Sequence, residues 1–262
     1  TSGRTTVAYQ LDGNSKIRSS LGAGVRFPAL YDYAYGSETI VDKGGTLEEI
    51  QSERGLSFDL GYDTYLDNLD LGLSITLFKT KQKNSILNSA RTEWVQMNAT
   101  GVNTSEGIEL NGNWQPINKK ISLNFGYTFT DSYDAATCDP DEKGAYADSE
   151  CRDIGSKVQS AKVRVPRHAI QSKINYNISP NLKSSLKGKY VGETRDFGNA
   201  NNDYTDVILT DYFVFDLETS YQLFNSYKAV ISIGNILDEE YEQAYQYSTM
   251  GRTFNIGIRR VY

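Results

Sequence analysis

Hydrophobic and polar residues alternate one by one along most of this chain. The clearest stretch is LDLGLSITL at 69–77, where leucine or isoleucine fills every odd position and Asp, Gly, Ser or Thr fills every even position. Successive side chains of a β-strand point to opposite faces, so this stretch predicts a strand with one apolar and one polar face. No stretch has a comparable helical period, and the chain is therefore predicted to be all-β with antiparallel neighbours.

This alternation recurs along the whole chain and predicts eleven strands. The apolar stripes lie at residues 5–11, 17–25, 56–62, 69–77, 108–114, 121–129, 170–178, 182–190, 213–223, 229–233 and 254–262. A strand of about eleven residues, tilted by about 40°, rises about 28 Å, which matches the apolar band of about 25 Å in a membrane barrel. Tyr, Phe or Trp often ends a stripe, as in the aromatic girdles at the two membrane interfaces.

The connections between these strands alternate strictly between short and long. The short ones lie around 12–15, 66–68, 115–120, 179–181 and 224–226, and the long ones around 27–52, 80–97, 132–163, 194–206 and 237–250. A Greek-key sandwich gives no reason for this sorting. An up-and-down transmembrane β-barrel does, because it has tight periplasmic turns at one end and long extracellular loops at the other.

Composition fits a barrel whose polar face lines a wet interior. Only 39% of the 262 residues are hydrophobic, and no apolar run reaches the roughly 18 residues of a membrane-spanning helix. The chain has 19 Tyr and 10 Phe, a net charge of −6 and no basic cluster typical of nucleic-acid binding. Single-chain bacterial barrels have an even number of strands. Eleven strands therefore predict one part of a larger barrel, closed by a last strand with Tyr262 at the lipid interface.

One long connection carries the candidate chemistry of the chain. Cys138 and Cys151 are its only cysteines and are predicted to form a loop disulfide, with metal ligation as the alternative. Asp139, Asp141 and Glu142 offer hard oxygen ligands for Ca²⁺, but their spacing matches no EF-hand, and a solvated, charged loop is the favoured interpretation. No other metal or cofactor site is expected.

Aromatic residues in other connections are candidates for contact with a substrate, or for shielding the barrel mouth. They are Tyr31, Tyr33, Tyr35, Tyr245 and Tyr247. His168 is the only histidine and begins a predicted strand, which excludes a multi-histidine metal site within the chain. No serine is marked as its partner, so a barrel hydrolase is not favoured and no catalytic residue is expected.

Several stretches of the chain resemble TonB-dependent outer-membrane receptors. The segment VISIGNILDEEYEQAYQYSTMGRTFNIGIRRVY at 230–262 resembles their C-terminal end, and 19–36, 98–114 and 165–176 resemble three earlier elements in the same order. The positions that match the terminal motif are Asn235, Asp238, Tyr241, Gly251, Arg252 and Tyr262. The ending and the loop spacing are most similar to cobalamin and siderophore receptors.

The resemblance implies a 22-stranded barrel filled by an N-terminal plug. Residues 1–262 would form the C-terminal part of that barrel domain, with the plug and the first barrel half outside this chain. The implied function is TonB-energised uptake of a scarce nutrient across the bacterial outer membrane, such as a ferric siderophore, cobalamin or a similar chelate. The implied partners of a monomeric receptor are outer-membrane lipid, lipopolysaccharide and, through the plug, TonB. The alternative is a passive, porin-like channel without a plug.

Overall fold

Eleven long antiparallel strands form one continuous sheet in the computed structural model of this chain. The structure describes residues 2–32, 50–89, 95–98, 101–116, 120–135, 159–200, 203–224 and 226–260. Its strands, in chain order, are β1 (Gly3–Gln10), β2 (Ser15–Arg26), β3 (Glu53–Leu66), β4 (Leu71–Lys83), β5 (Ile86–Ser89), β6 (Val95–Asn98), β7 (Val102–Trp114), β8 (Ile121–Ala135), β9 (Gln159–Ala161), β10 (His168–Asn177), β11 (Leu182–Val191), β12 (Thr194–Ala200), β13 (Asp203–Leu209), β14 (Tyr212–Phe224), β15 (Tyr227–Gly234), β16 (Glu242–Ala244), β17 (Tyr247–Ser248) and β18 (Thr253–Arg260).

The order of the strands in the sheet confirms the predicted up-and-down topology. The order is β1-β2-β3-β4-β7-β8-β10-β11-β14-β15-β18, and β9 extends the sheet beside β8. Every neighbouring pair is antiparallel, and each long strand pairs with the next long strand of the chain. β1 and β18 lie at the two edges and do not pair with each other, so the sheet is one part of a barrel wall. The total of 22 strands stays a prediction.

The register aligns the apolar stripes of successive strands on one face of the sheet. Leu77 of β4 lies opposite Leu60 on one side and Ile108 on the other. Ile75 lies opposite Tyr62 and Leu110 in the same way. We call this apolar side the lipid face and the polar side the inner face. Because the side-chain period is two, a slip of one residue would move every stripe to the inner face.

The molecule has no conventional hydrophobic core among its described residues. Leu209 and Tyr212 are the only hydrophobic residues there with less than a tenth of their surface exposed, whereas side chains of the lipid face such as Leu77 are 46% exposed. An apolar face of this extent is covered by lipid in a membrane protein, and the backbone satisfies its hydrogen bonds between strands. No helix of the described segments is long and apolar enough to span a bilayer.

Three of the predicted long connections contain hairpins, which the sequence pattern does not predict. They are formed by β5 with β6, β12 with β13, and β16 with β17. The barrel strands therefore continue as paired ribbons beyond the long-connection end of the sheet. The short connection at 67–70 is a tight turn, in which the N–H of Leu69 donates to the carbonyl of Leu66 at 3.0 Å.

Candidate functional site

An arginine crosses three strands on the inner face. Arg18 of β2 donates from Nε to Oδ2 of Asp63 (3.1 Å) and from Nη2 to Oγ1 of Thr76 (2.6 Å). Its Nη1 lies 3.9 Å from Oδ1 of Asp59. The guanidinium presents several donors in one plane, so one side chain ties β2, β3 and β4 together across a polar wall.

A glycine makes room for this arginine. A Cβ atom at position 61 would lie 2.6 Å from Cζ of Arg18, closer than atoms of the two side chains can approach. Gly61 directly faces Arg18 in the register of β2 and β3. The guanidinium therefore lies flat on the wall because its neighbour on β3 has no side chain.

The inner face carries unbalanced positive charge further along the sheet. Lys173 of β10 lies directly opposite Lys187 of β11, and Lys189 follows on the same face. With Asp216 of β14 they line an open hollow of about 670 Å³. The carboxylate of Asp216 accepts the backbone N–H of Asn235 at 2.9 Å. Because like charges placed directly opposite each other destabilise a sheet, this part of the wall favours a negatively charged neighbour.

A buried carboxylate joins three outer connections. Asp196, in β12, has no exposed surface. Its Oδ1 accepts from Nε of Arg164 (2.9 Å), which lies in the connection before β10, and its Oδ2 accepts the N–H of Tyr245 (2.7 Å) between β16 and β17. The N–H of Arg164 also donates to the carbonyl of Arg195 at 2.8 Å. We call this arrangement the Asp196 clamp. It fixes two segments that lie 32 and 49 residues from Asp196 in the sequence.

A second clamp holds the base of the β5–β6 hairpin. Glu53, at the start of β3, forms a two-point ion pair with Arg26, with 2.7 Å between Nη2 and Oε1. The same Oε1 accepts the N–H of Ile86 at 2.8 Å. Nearby, Nδ2 of Asn98 donates to the carbonyls of Gln51 (2.9 Å) and residue 84 (2.8 Å). These contacts connect the hairpin to the chain that enters β3.

Asn235 organises the last long connection. It is buried, with φ of 49°, and follows β15 directly. Its side-chain Nδ2 donates to the carbonyl of Glu239 (2.9 Å), and its Oδ1 accepts the N–H of the same residue (2.9 Å). An amide that both donates and accepts closes a short loop, which asparagine does readily because it tolerates a left-handed backbone.

The other motif positions of this connection gather around the same loop. Oδ1 of Asp238 accepts the N–H of Arg252 (2.6 Å), and a Cβ at Gly251 would lie 2.8 Å from that oxygen. The ring of Tyr241 stacks on Tyr212 with 4.1 Å between the centroids. Asn235, Asp238, Tyr241, Gly251 and Arg252 thus form one loop structure, and the contacts show why these residue types occur at these spacings.

The predicted loop aromatics are placed differently from one another. Tyr31 is 58% exposed in a turn closed by Asp32, whose carboxylate accepts the N–H of Ala29 at 2.7 Å. Tyr247 is 72% exposed, while Tyr245 is held by its backbone in the Asp196 clamp. The remaining predicted positions lie outside the described residues: Tyr33, Tyr35, Cys138, Cys151, Asp139, Asp141, Glu142 and Tyr262. Their predicted roles stay predictions.

The single histidine lies in an aromatic group at the outer end of the lipid face. Nδ1 of His168 is 3.0 Å from the hydroxyl of Tyr127, and its ring centroid is 5.3 Å from that of Phe129. These contacts place it in an interfacial girdle. Within the described segments, no group of three or more His, Cys, Asp or Glu side chains could hold a metal ion.

The fold and these contacts define one part of a transmembrane β-barrel, with a polar inner wall and an outer mouth of clamped connections. A family model described as "TonB dependent receptor-like, beta-barrel" matches residues 1–236. The chain belongs to this family, whose members are bacterial outer-membrane transporters and not enzymes. The match ends before most of the terminal connection. No protein of curated function matches the chain in sequence.

Solved structures of transporters share this fold. The ferric-catecholate import receptor Fiu from K12 E. coli is 17% identical with a TM-score of 0.72, over 98% of this chain and 34% of Fiu. The ferric yersiniabactin uptake receptor FyuA from Yersinia pestis is 19% identical with a TM-score of 0.68, over 99% of this chain and 37% of FyuA. The copper transporter OprC is 17% identical with a TM-score of 0.72, over 98% and 38%. This chain spans about a third of the length of these structures.

Proposed function

We propose that this chain forms part of the wall and outer mouth of a receptor that takes up a scarce chelate with energy from TonB. The proposed cargo is a ferric siderophore, cobalamin or a similar metal chelate. Residues 1–262 are proposed to be the C-terminal part of the barrel domain, with a plug and the first barrel half in the rest of the receptor.

The Asp196 clamp is the observation that carries this proposal. A passive channel needs a wide polar lumen, but it has no need for outer connections fixed by a fully buried carboxylate. A receptor for a dilute cargo benefits from such fixed connections, because a preorganised surface loses less conformational entropy when it binds. The second clamp at Glu53 supports the same argument on another part of the rim.

The cargo class is proposed from the solved structures that share the fold of this chain. Fiu and FyuA are named for the uptake of ferric chelates, and OprC is named for copper. A shared fold at this identity does not define a ligand, since function depends on the residues of the site. We therefore propose the class of metal chelates and not a single compound.

Growth rescue with a panel of cargos tests the proposal. The full-length receptor is expressed in a strain without its own uptake receptors, together with its cognate TonB. Cells are grown under iron or cobalamin limitation with ferric catecholates, ferric hydroxamates or cobalamin as the only source. We expect rescue by one cargo class at low concentration, saturating as the cargo rises, and loss of rescue when TonB is deleted.

A passive channel gives a different result in the same experiment. Uptake would rise linearly with concentration, would not require TonB, and would extend to unrelated small solutes in a liposome-swelling assay. That combination would overturn the proposed function. Rescue that saturates but persists without TonB would refute the energy source while leaving the receptor role in place.

A further inference from the structure

Four lysines follow the inner face of β10 and β11. On β11, Lys183, Lys187 and Lys189 occupy odd-numbered positions, whereas the apolar stripe with Leu186 occupies even-numbered ones. On β10, Lys173 lies directly opposite Lys187. We call these four lysines the lysine track. All four are exposed, and the chain that carries them is acidic overall, with a net charge of −6. The track is therefore a local excess of positive charge that the composition does not explain.

The track follows the wall from the short-connection end to the outer mouth. Lys183 is the second residue of β11, and the six residues from there to Lys189 cover about 20 Å of strand, or about 15 Å of height at a tilt of about 40°. Nζ of Lys189 lies 5.8 Å from the ring centroid of Tyr212, and this ring stacks on Tyr241 of the last long connection. The track therefore leads from the base of an outer connection into the interior of the barrel.

The positive charge of the track has no partner in the wall. Among the described residues, no carboxylate lies within ion-pair distance of any of the four lysines. Asp216 of β14 lies directly opposite Lys187, but its Oδ1 accepts the N–H of Asn235 at 2.9 Å. Like charges directly opposite each other, such as Lys173 and Lys187, destabilise a sheet. A bound anion would remove this repulsion.

The inner face of β2 and β3 shows that charged side chains of this wall can pair with each other. Asp63 accepts from Nε of Arg18 at 3.1 Å and lies 3.6 Å from Nζ of Lys16. Arg26 forms its two-point ion pair with Glu53 at the outer end of the same strands. The track lacks such pairs, so an anion from outside the wall is the best explanation for its charge.

The hollow beside the track has a size that suits a small chelate. Its volume of about 670 Å³ lies within the roughly 300–1,000 Å³ of sites that bind small molecules. Three lysines line it against the single carboxylate of Asp216. A cleft lined mainly by one sign of charge concentrates ligands of the opposite sign and speeds their association. The neutral side chains that add hydrogen-bonding groups to the hollow are those of Asn111, Asn124, Thr128 and Gln171.

We propose that the lysine track binds the cargo through negative charge, so that this receptor takes up anionic metal chelates in preference to neutral ones. The inference rests on the proposed function and narrows its cargo class. Three catecholate groups leave a ferric complex with a triple negative charge, whereas three hydroxamate groups leave it neutral, and cyanocobalamin also has no net charge. Lysine binds anions as a point charge on a flexible stem, which suits a cargo that moves along the wall.

Uptake of labelled cargos by the full-length receptor tests this inference. The strain is that of the growth test, and the cargos are a ferric tris-catecholate, ferric citrate, a ferric tris-hydroxamate and cyanocobalamin. We expect one of the two anionic chelates to have the lowest half-saturating concentration. An exposed ion pair changes an affinity by up to about fivefold, so Lys173→Gln/Lys187→Gln should raise the half-saturating concentration of that chelate roughly tenfold.

Two variants and a change of salt serve as controls. Lys81→Gln/Lys83→Gln removes the same number of charges from the lipid face of β4 and should leave uptake unchanged. Lys173→Arg/Lys187→Arg keeps the charges and should keep most of the uptake. Raising the ionic strength from about 50 mM to about 200 mM should raise the half-saturating concentration for the unaltered receptor more than for the glutamine variant, because salt screens the lysines.

Three results would overturn the proposal. They are a lowest half-saturating concentration for a neutral cargo, unaltered uptake of the anionic cargo by the glutamine variant, and an equal loss of uptake for anionic and neutral cargos. The last result would show that the lysines pair with carboxylates in another part of the receptor.

Two further comparisons keep the test decisive. Folded barrels migrate faster than unfolded ones in unheated detergent gels, which shows whether each variant is folded. If the glutamine variant does not fold, the ranking of cargos and the salt dependence of the unaltered receptor still decide the outcome. Saturable, TonB-dependent uptake of a neutral cargo refutes this inference and supports the proposed function, whereas uptake of no cargo refutes both.

Discussion

Replacing Asp196 by alanine is expected to release the outer connections while the sheet stays folded. The carboxylate is fully buried and accepts from Arg164 and from the N–H of Tyr245. Hydrogen bonds to a charged group contribute about 1.5–3 kcal/mol each, and leaving the partner of a buried ion pair without its counter-charge costs about 3–5 kcal/mol. The side chain of Arg164 is 56% exposed, so water can solvate it in the variant. We therefore expect a local cost of about 2–3 kcal/mol, below the value for a fully buried pair.

Hydrogen exchange measures this local cost directly. The amide of Tyr245 loses its acceptor, and an opening free energy lowered by about 2–3 kcal/mol accelerates its exchange about 30- to 150-fold. Amides of β14 and β15 should exchange at unchanged rates, because the clamp contributes no hydrogen bond to their ladder. Glu193→Gln is the matched control, since it changes an exposed carboxylate in the same connection.

Two results would refute this reasoning. If the amide of Tyr245 stayed equally protected in the alanine variant, the clamp would not be what holds the β16–β17 hairpin. If β14 and β15 lost protection together with the hairpin, the connections and the sheet would unfold as one unit, and the clamp would be part of the stability of the barrel itself.

Three further changes test other parts of the structure. Gly61→Val should displace the guanidinium of Arg18 from the inner face and lower the free energy of unfolding by about 2 kcal/mol, measured by urea titration in lipid vesicles. Gly55→Val is the control and should change the free energy of unfolding little, because a Cβ at position 55 meets no atom within 4 Å. Leu110→Arg should lower the free energy of unfolding by about 2–4 kcal/mol in the same assay, because it places a charge against lipid. Asn111→Arg is the control: this position is the next residue of β7 and lies on the inner face, where a charge should be tolerated. Asn235→Ala should expose the connection at 236–250 to protease more than Asn235→Gly, because the left-handed backbone at φ 49° costs alanine about 1–2 kcal/mol and glycine almost nothing.

The spanning strands could be predicted from the sequence because their physical cause is local. The alternation at 69–77 is repeated on both neighbouring strands, and lipid on one side with water on the other requires that period. The sorting of short and long connections then defined the order of the strands, which the sheet confirms.

The clamps could not be predicted, because their residues are distant in sequence and come together only through the register. Asp196 lies 32 residues from Arg164 and 49 from Tyr245, in a segment whose sequence predicts only a long connection. The need for Gly61 is visible only once Arg18 is known to face it across β2 and β3.

The buried carboxylates at the rim hold two of the outer hairpins by backbone N–H groups, so neither clamp depends on the identity of the side chain at the position that it holds. Asp196 accepts the N–H of Tyr245 in the turn between β16 and β17, and Glu53 accepts the N–H of Ile86 at the start of β5. The ring of Tyr247, two residues after Tyr245, is nevertheless 72% exposed. Exchanging an exposed side chain such as that of Tyr247 therefore leaves both clamps in place. An engineer who redesigns the exposed side chains of these hairpins should keep the two anchoring acids in place.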